Sequence, residues 1–186
     1  MFGLMQDRFS EHQSVSMSWY NKATDLRGAA GAVWAGMGDE DSQRIVSELG
    51  LGPSYRMAAA VGPVFRMLCG MSIELLLKAV CVERRRAPEA IHNLGRLASL
   101  SGVDFDADEL PLLDILSEAI VWHGRYPTPK KRDHWDRHLE LSNEHLFDKK
   151  PLGSTHVLQP NHALDWEGYT SLWNRVHNAY WDATEG

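Results

Sequence analysis

The chain has 186 residues, of which 44% are hydrophobic and 24% charged, with a formal net charge of −6. This length and composition predict one globular domain over residues 1–186 with a substantial core. The negative charge excludes a general electrostatic attraction to nucleic acid, so an RNA-binding role would require a local basic patch. Charged residues interrupt the apolar stretch 57–82, so we expect no membrane-spanning segment.

The predicted elements, taken in chain order, are helical. Bulky residues recur with helical spacing from Glu11 to Met37, and a short helix follows over residues 41–49. The central helix begins at Ser54 or after Pro63 and ends near Arg86. It is apolar around most of its circumference, which is typical of a helix at the centre of a bundle.

Three further helices are predicted, over residues 89–100, 112–122 and 165–183. No segment has the period-two alternation of a strand. Residues 130–160 are polar and predict a long loop, with one helix inside residues 135–147. The fold class is therefore all-α: an up-and-down helical bundle with a long polar loop before the last helix.

Cys69 and Cys81 lie on the predicted central helix, twelve residues apart. At about 1.5 Å per residue they are separated by about 18 Å, which is too far for a disulfide between them. We predict buried thiols in a reducing compartment. The N-terminal apolar run is too short for a signal peptide, so a cytoplasmic location is expected.

Four ionisable residues lie on elements that otherwise favour burial: Glu74, Lys78, His92 and Arg125. A buried charge must be paired or hydrogen-bonded, so we predict that these side chains meet in a polar pocket between helices. The planar guanidinium of Arg125 suits a phosphate, and Tyr126 is placed to stack on a base. A simpler interpretation stays open, in which Glu74 pairs with Lys78 along one helix and His92 fixes a loop.

The segment 130–145 carries two other candidate sites. Lys130, Lys131 and Arg132, together with Trp135, combine phosphate contact with stacking and are compatible with a weak RNA-contacting patch, while a solvated loop of mixed charge is the simpler interpretation. A metal-dependent alternative would use His134 and His138, spaced four apart, with Glu144 or His145. Because Trp135 follows the first histidine, where zinc proteases have a glutamate, we predict no metal site there.

Three segments resemble the HEPN family (higher eukaryotes and prokaryotes nucleotide-binding). They are SIELLLKA at 72–79, IHNL at 91–94 and GRYP at 124–127, and together they span the middle third of the chain. The second is similar to the family's His-Asp-Leu segment, with Asn93 at the middle position, and the third to its Ala-Arg-Tyr-Pro ending. The resemblance implies a HEPN-like core over about 55–129 plus the first and last helices.

The resemblance also implies a function. Many HEPN proteins carry a metal-independent ribonuclease site, an arginine followed a few residues later by a histidine, shared across a homodimer. Arg132 and His138 fit that spacing, as do Arg86 and His92, although the family's Arg-Asn setting is absent. Arg132 would stabilise charge on the phosphorus while His138 moves a proton at the ribose 2′-hydroxyl.

Three functions follow as alternatives. The first is a homodimeric nucleotide- or RNA-associated protein, and candidate endoribonuclease, of a toxin–antitoxin or defence system, without a cofactor. The second is a non-catalytic helical module that binds a protein partner such as a nucleotidyltransferase antitoxin. The third is a metal-dependent enzyme built on the histidine-rich segment.

Overall fold

The computed structural model describes residues 13–153 and 155–185. This part of the chain forms seven α-helices and one β-hairpin. The helices are α1 (Ser16–Ala35), α2 (Asp39–Glu48), α3 (Met57–Glu83), α4 (Leu94–Ser101), α5 (Leu110–Glu118), α6 (Arg132–His145) and α7 (Trp166–Glu185). The hairpin consists of β1 (Phe147–Leu152) and β2 (Thr155–Pro160). No helix in the described residues is long and apolar enough to cross a bilayer.

The central helix is α3, as predicted. It packs against α1, α4, α5 and α7. Its buried side chains include Phe65, Ile73, Leu77 and Val80, and they form the middle of the hydrophobic core. Pro63 lies inside α3 rather than at its start. The mostly helical bundle that the periodicity predicts is therefore confirmed.

The helix α5 does not end as an ordinary α-helix. It continues into a π-helical turn over Ala119–His123, and the Gly124 amide donates to the Ala119 carbonyl at 3.0 Å. A π-turn inserts one extra residue, which rotates the following side chains by about 100° relative to a continuous α-helix. The sequence predicts one uninterrupted α-helix here. The directions that it predicts for the side chains after Ile120 therefore differ from those in the structure.

Two glycines allow α3 to approach α5 and its π-turn closely. A Cβ at Gly70 would lie 2.9 Å from the Leu116 carbonyl oxygen, and one at Gly124 would lie 2.4 Å from Met67 Cβ. Real Cβ atoms do not come so close to backbone or to another Cβ, so each position requires glycine. Because α3 and the π-turn touch at this contact, the chain neighbours of Met67 on α3 lie close to the chain neighbours of Gly124.

The helix predicted inside residues 135–147 is present as α6, but the prediction that the rest of residues 130–160 is a loop with no strand is wrong. The segment also forms the antiparallel pair β1–β2, in which Phe147 lies opposite Pro160 and Leu152 opposite Thr155. Almost every hairpin residue is exposed, so the strands have no buried face and no alternation of polarity to detect. Both cysteines are buried free thiols, as expected.

Candidate functional site

Three of the four predicted pocket residues meet. Lys78 Nζ donates to one carboxylate oxygen of Glu74 at 2.7 Å, and His92 Nδ1 lies 2.8 Å from the other. Glu74 and Lys78 are buried, whereas the His92 side chain is 55% exposed. The glutamate therefore has a partner on each oxygen, as a buried carboxylate requires.

The start of α4 holds His92 over Glu74. Asn93 caps that helix, its side-chain oxygen accepting from the Arg96 amide at 2.7 Å. The backbone amide of Leu94, the first residue of α4, donates to Ser117 Oγ on α5 at 3.0 Å. These two bonds fix the backbone on the C-terminal side of His92. The geometry matches the simpler sequence interpretation, a paired glutamate and a histidine that ties a loop to the central helix.

Arg125 does not join this cluster, so the predicted four-residue pocket is wrong in that member. Its side chain is exposed, donates to the Val121 carbonyl at 2.6 Å, and lies 5.5 Å from the Tyr126 ring centre. The physical reason is the π-turn, which rotates position 125 away from the direction that a continuous helix would give it. A phosphate-binding role for Arg125 stays a prediction. The neighbours of its guanidinium are then Val121 and Tyr126 instead of Glu74 and His92.

The candidate catalytic pair is also separated. The Arg132 side chain is 87% exposed at the start of α6 and pairs with Asp136 at 3.3 Å. His138 is 5% exposed and packs against Trp122 and His123. Six residues along a helix correspond to a rotation of about 120°, so the two side chains leave α6 in different directions. The expectation that Arg132 and His138 share one site is therefore wrong within a single chain.

The histidine-rich segment does not assemble a metal centre in the described residues. His134 Nδ1 lies 3.4 Å from Glu118, whereas His138 points into the bundle. His145 lies 3.8 Å from Glu144. No group of three or more histidine, cysteine or acidic side chains in the described part of the chain is arranged to hold a metal ion.

A groove with a volume of about 780 Å³ lies beyond the end of α5. Its lining residues are 121–122, 125–131 and 134, and we call it the basic groove. A neighbouring cavity of about 330 Å³ shares the segment 128–131 and adds Arg132 and Trp135. No acidic residue of the described chain lines either space.

The cations of the basic groove are largely unpaired. Lys130 and Lys131 are exposed and form no ion pair with any described residue. Among the described residues, the Arg125 guanidinium contacts the Val121 carbonyl and the Tyr126 ring and no carboxylate. Tyr126 is 57% exposed. Positive charge therefore accumulates at this end of an acidic protein, beside an aromatic face that water can reach.

Sequence reasoning missed a second cluster, beneath Trp122, which we call the Arg–His cluster. It consists of Arg66 on α3, His123 in the π-turn and His138 on α6. The two imidazole centres lie 4.2 Å apart. Arg66 Nε, His123 Nδ1 and His138 Nδ1 are all buried without a hydrogen-bond partner among the described residues.

The electrostatics of the Arg–His cluster are unusual. Burial, His123 and Arg66 together lower the pKa of His138 to about 4. Burial and Arg66 lower the pKa of His123, and burial lowers that of Arg66 itself. Both imidazoles are therefore neutral at pH 7, and no described carboxylate offsets the guanidinium. The only sequence signal was indirect: Gly124, the close-approach position, beside His123.

Comparison of the chain with protein-family models, with curated proteins and with solved structures gives no match. The HEPN resemblance therefore stays a prediction from three short segments.

Proposed function

We propose that this protein binds single-stranded RNA, or a nucleotide of it, in the basic groove. The observation that carries the proposal is the lining: the exposed Tyr126 and unpaired cations stand side by side, with no carboxylate of the described chain among them. The groove's volume of about 780 Å³ lies in the range of ligand-binding clefts, roughly 300–1,000 Å³.

The cations supply the contact with the phosphate backbone. Arg125, Lys130 and Lys131 have no carboxylate partner in the described chain to displace before they meet a phosphate. Arg132 is less available because it already pairs with Asp136, although that pair is exposed and contributes little to stability. Three phosphate contacts would give modest affinity with a marked dependence on salt.

One exposed aromatic ring supplies the contact with the bases. Tyr126 offers an exposed ring that carries a guanidinium on one side. Trp122 Nε1 donates to Glu118, which also contacts His134, so this wall of the groove is held in place. Stacking of one base on an aromatic side chain contributes about 1–3 kcal/mol and tolerates any base. The site would therefore prefer single strands without strict sequence preference.

The wider role rests on the family resemblance. A HEPN-like protein that binds RNA would belong to a toxin–antitoxin or defence system, and it would act as a homodimer. Cleavage by Arg132 and His138 is not part of the proposal, because one side chain is exposed and the other buried.

The β-hairpin supports the alternative, a module that binds a protein partner such as an antitoxin. Leu152, Val157 and Leu158 are 61%, 46% and 45% exposed on two strands whose outer edges are free in the described chain. A partner strand could add to such an edge.

Binding of a fluorescein-labelled single-stranded oligouridylate, measured by anisotropy, tests the proposal. The variant Lys130→Ala/Lys131→Ala removes two groove cations, and we expect its affinity to fall about tenfold or more at low salt. The matched control is Lys149→Ala/Lys150→Ala, which removes the same charge from exposed hairpin positions. Equal losses in the two variants, or no binding by the parent protein, would overturn the proposal.

A further inference from the structure

The helix α6 and its flanking residues carry opposite charges at their two ends. The cavity of about 330 Å³ at the start of α6 has cations in its lining and no carboxylate of the described chain. These cations, which we call the basic end, are Lys130, Lys131 and Arg132. A cleft of about 800 Å³ lies at the other end of the helix, and we call it the acidic cleft. Its charged lining residues are Glu140, Glu144, Asp148 and Lys149, so carboxylates outnumber ammonium groups three to one.

The stability of α6 itself does not explain this distribution. The peptide dipoles of a helix favour acidic residues at its N-terminus and basic residues at its C-terminus, each by about 0.3–1 kcal/mol. Asp133 and His145 follow that preference. Lys131, Arg132 and Glu144 oppose it. A partner that presents the reverse order of charges compensates all three.

Both charged ends border one exposed side of α6. Successive helical residues are rotated by about 100°, so Arg132, Leu139 and Asn143 point within about 40° of one another, and Glu140 about 60° from Asn143. All four are exposed, whereas His138 on the opposite side is buried. Leu139 is 43% exposed and stands between the two charged ends. An apolar centre with a polar rim is the usual arrangement of a protein–protein interface.

We propose that this side of α6 pairs with the same side of a second copy of the chain, the two helices running antiparallel about a two-fold axis at Leu139. This alignment places the basic end of each copy against the acidic cleft of the other, so two identical sets of opposite charges meet. Arg132 lies seven residues before the axis and Glu144 five residues after it. The difference corresponds to about 3 Å along the helix, which an arginine side chain spans.

A second copy also fits this surface in size. A standard interface buries about 800 Å² per partner, which is a patch about 28 Å across. The 14 residues of α6 extend for about 21 Å, and the basic end and the acidic cleft continue beyond them on both sides. Arg132 is available for the contact, because its pair with Asp136 is exposed and contributes little to stability.

The pairing has a consequence for the basic groove, because Lys130 and Lys131 line that groove as well. The acidic cleft of a second copy and an RNA phosphate compete for the same ammonium groups. RNA therefore releases the pair into single copies. This competition rests on the proposed function, whereas the pairing itself does not.

Sedimentation velocity of the full chain without RNA tests the pairing, over about 1–100 µM protein, where a standard-sized interface of modest affinity forms. We expect the parent protein to be dimeric at the upper end of this range. The lysine variant, Lys130→Glu/Lys131→Glu, and the glutamate variant, Glu140→Lys/Glu144→Lys, should each weaken the dimer at least about tenfold. The reason is that like charges then face each other across the axis.

Two comparisons separate local charge from overall charge. Lys22→Glu/Arg56→Glu has the net charge of the lysine variant but changes exposed positions away from α6, so it should dimerise as the parent does. The glutamate variant is less negative than the parent, whose net charge is −6, so general repulsion alone predicts a tighter dimer and the pairing predicts a weaker one. An equimolar mixture of the lysine and glutamate variants should restore the dimer, because opposite charges again face each other at both ends.

A cysteine at the axis gives a second readout that does not depend on charge. Leu139→Cys should form a disulfide between two copies under mild oxidation. Leu49→Cys, at a more exposed position just after α2, should not. The native Cys69 and Cys81 are buried, so they do not compete for the cross-link.

The proposal fails if the parent protein is monomeric throughout the concentration range, if neither charge variant weakens the dimer, or if the mixture does not restore it. Equal cross-linking at positions 49 and 139 would also overturn it. An oligouridylate of about six nucleotides should convert the dimer into complexes that contain one protein copy. RNA that binds to an intact dimer would overturn the competition. No RNA binding at all would refute the proposed function and leave the pairing intact, because sedimentation measures the pairing without RNA.

Discussion

His123 and His138 lie with their ring centres 4.2 Å apart, although one belongs to the π-turn after α5 and the other to α6. Neither ring faces a carboxylate in the described chain. The groups around His138 are His123, Arg66, Trp122 and Ser142. Two imidazoles so close together, beside a guanidinium, cannot both become charged without a cost to the folded state.

The first prediction concerns pH. The native pKa of His138 is about 4, below the roughly 6.5 of an unfolded chain, because burial, His123 and Arg66 disfavour its protonated form. Between these values the unfolded chain binds a proton that the native ring does not, so stability rises with pH. For this ring alone we expect a loss of about 2 kcal/mol from pH 7 to pH 5.

Urea unfolding at the two pH values measures this loss. His138→Leu should lose less stability between pH 7 and pH 5 than the parent protein does. The control is His156→Leu on the exposed hairpin, which should keep the parent's dependence. A parent protein that is equally stable at both values would show that His138 is not held neutral.

The second prediction concerns the buried ion pair. Glu74→Leu leaves the Lys78 ammonium buried without its carboxylate, and we expect a loss of about 3–5 kcal/mol. The double variant Glu74→Leu/Lys78→Met removes both charges and should be more stable than the single variant. A double-mutant cycle from urea unfolding measures the coupling. A double variant that loses the sum of the two single effects would mean that the pair contributes no coupling.

The third prediction concerns helix packing. A methyl group at Gly70 would press on the Leu116 carbonyl and the Ile120 side chain, so Gly70→Ala should destabilise the protein by about 1–3 kcal/mol. Gly28 lies in the middle of α1, exposed and with open space at its Cβ position. Gly28→Ala should therefore stabilise by about 0.5–1 kcal/mol through helix propensity. Thermal unfolding of both variants measures whether the two changes in stability have opposite signs. Changes of the same sign would contradict the close approach of α3 to α5 at Gly70.

The fourth prediction concerns the end of α3. Arg85 has a φ of 55°, a left-handed conformation that favours glycine. Because its side chain is exposed, Arg85→Gly should relieve strain and raise the free energy of unfolding by up to about 1 kcal/mol. Arg86→Gly is the matched control. Arg86 donates to the Leu100 carbonyl at 2.7 Å near the end of α4, so its loss should destabilise. If calorimetry finds that Arg86→Gly is more stable than Arg85→Gly, backbone strain at position 85 is excluded.

The fifth prediction concerns salt. If Arg125, Lys130 and Lys131 each contact a phosphate, the logarithm of the RNA association constant should fall with the logarithm of salt concentration with a slope of about −2. Lys130→Ala/Lys131→Ala should reduce the slope to about −0.7. Anisotropy titrations between 30 and 300 mM salt, roughly the range in which counterion release dominates, measure both slopes. Identical slopes for the parent protein and the double variant would show that Lys130 and Lys131 do not contact the phosphates.

Local sequence patterns were sufficient for most of the helices. The central helix was predictable because a segment that is apolar on nearly every side is stable only when surrounded by other elements. The contact between Glu74 and Lys78 was predictable for a similar reason, since residues four apart on a helix are neighbours whatever the rest of the fold does. The burial of Cys69 and Cys81 followed from the same helix.

The positions of Arg125 and of the hairpin were not predictable in this way. A single extra residue in the π-turn rotates everything after it, and no local pattern marks that insertion. The hairpin has two lysines and a proline in its first strand and no buried face, so it lacks the alternation by which strands are found.

The sequence by itself determined which segments are helical and which charges pair along one helix, because both depend on neighbours a few residues apart. Only the tertiary structure decided that Arg66, His123 and His138 lie together. Their meeting depends on the direction of each side chain and on the close contact of Gly124 with Met67. Those are properties of packed helices, and spacing along the chain does not encode them.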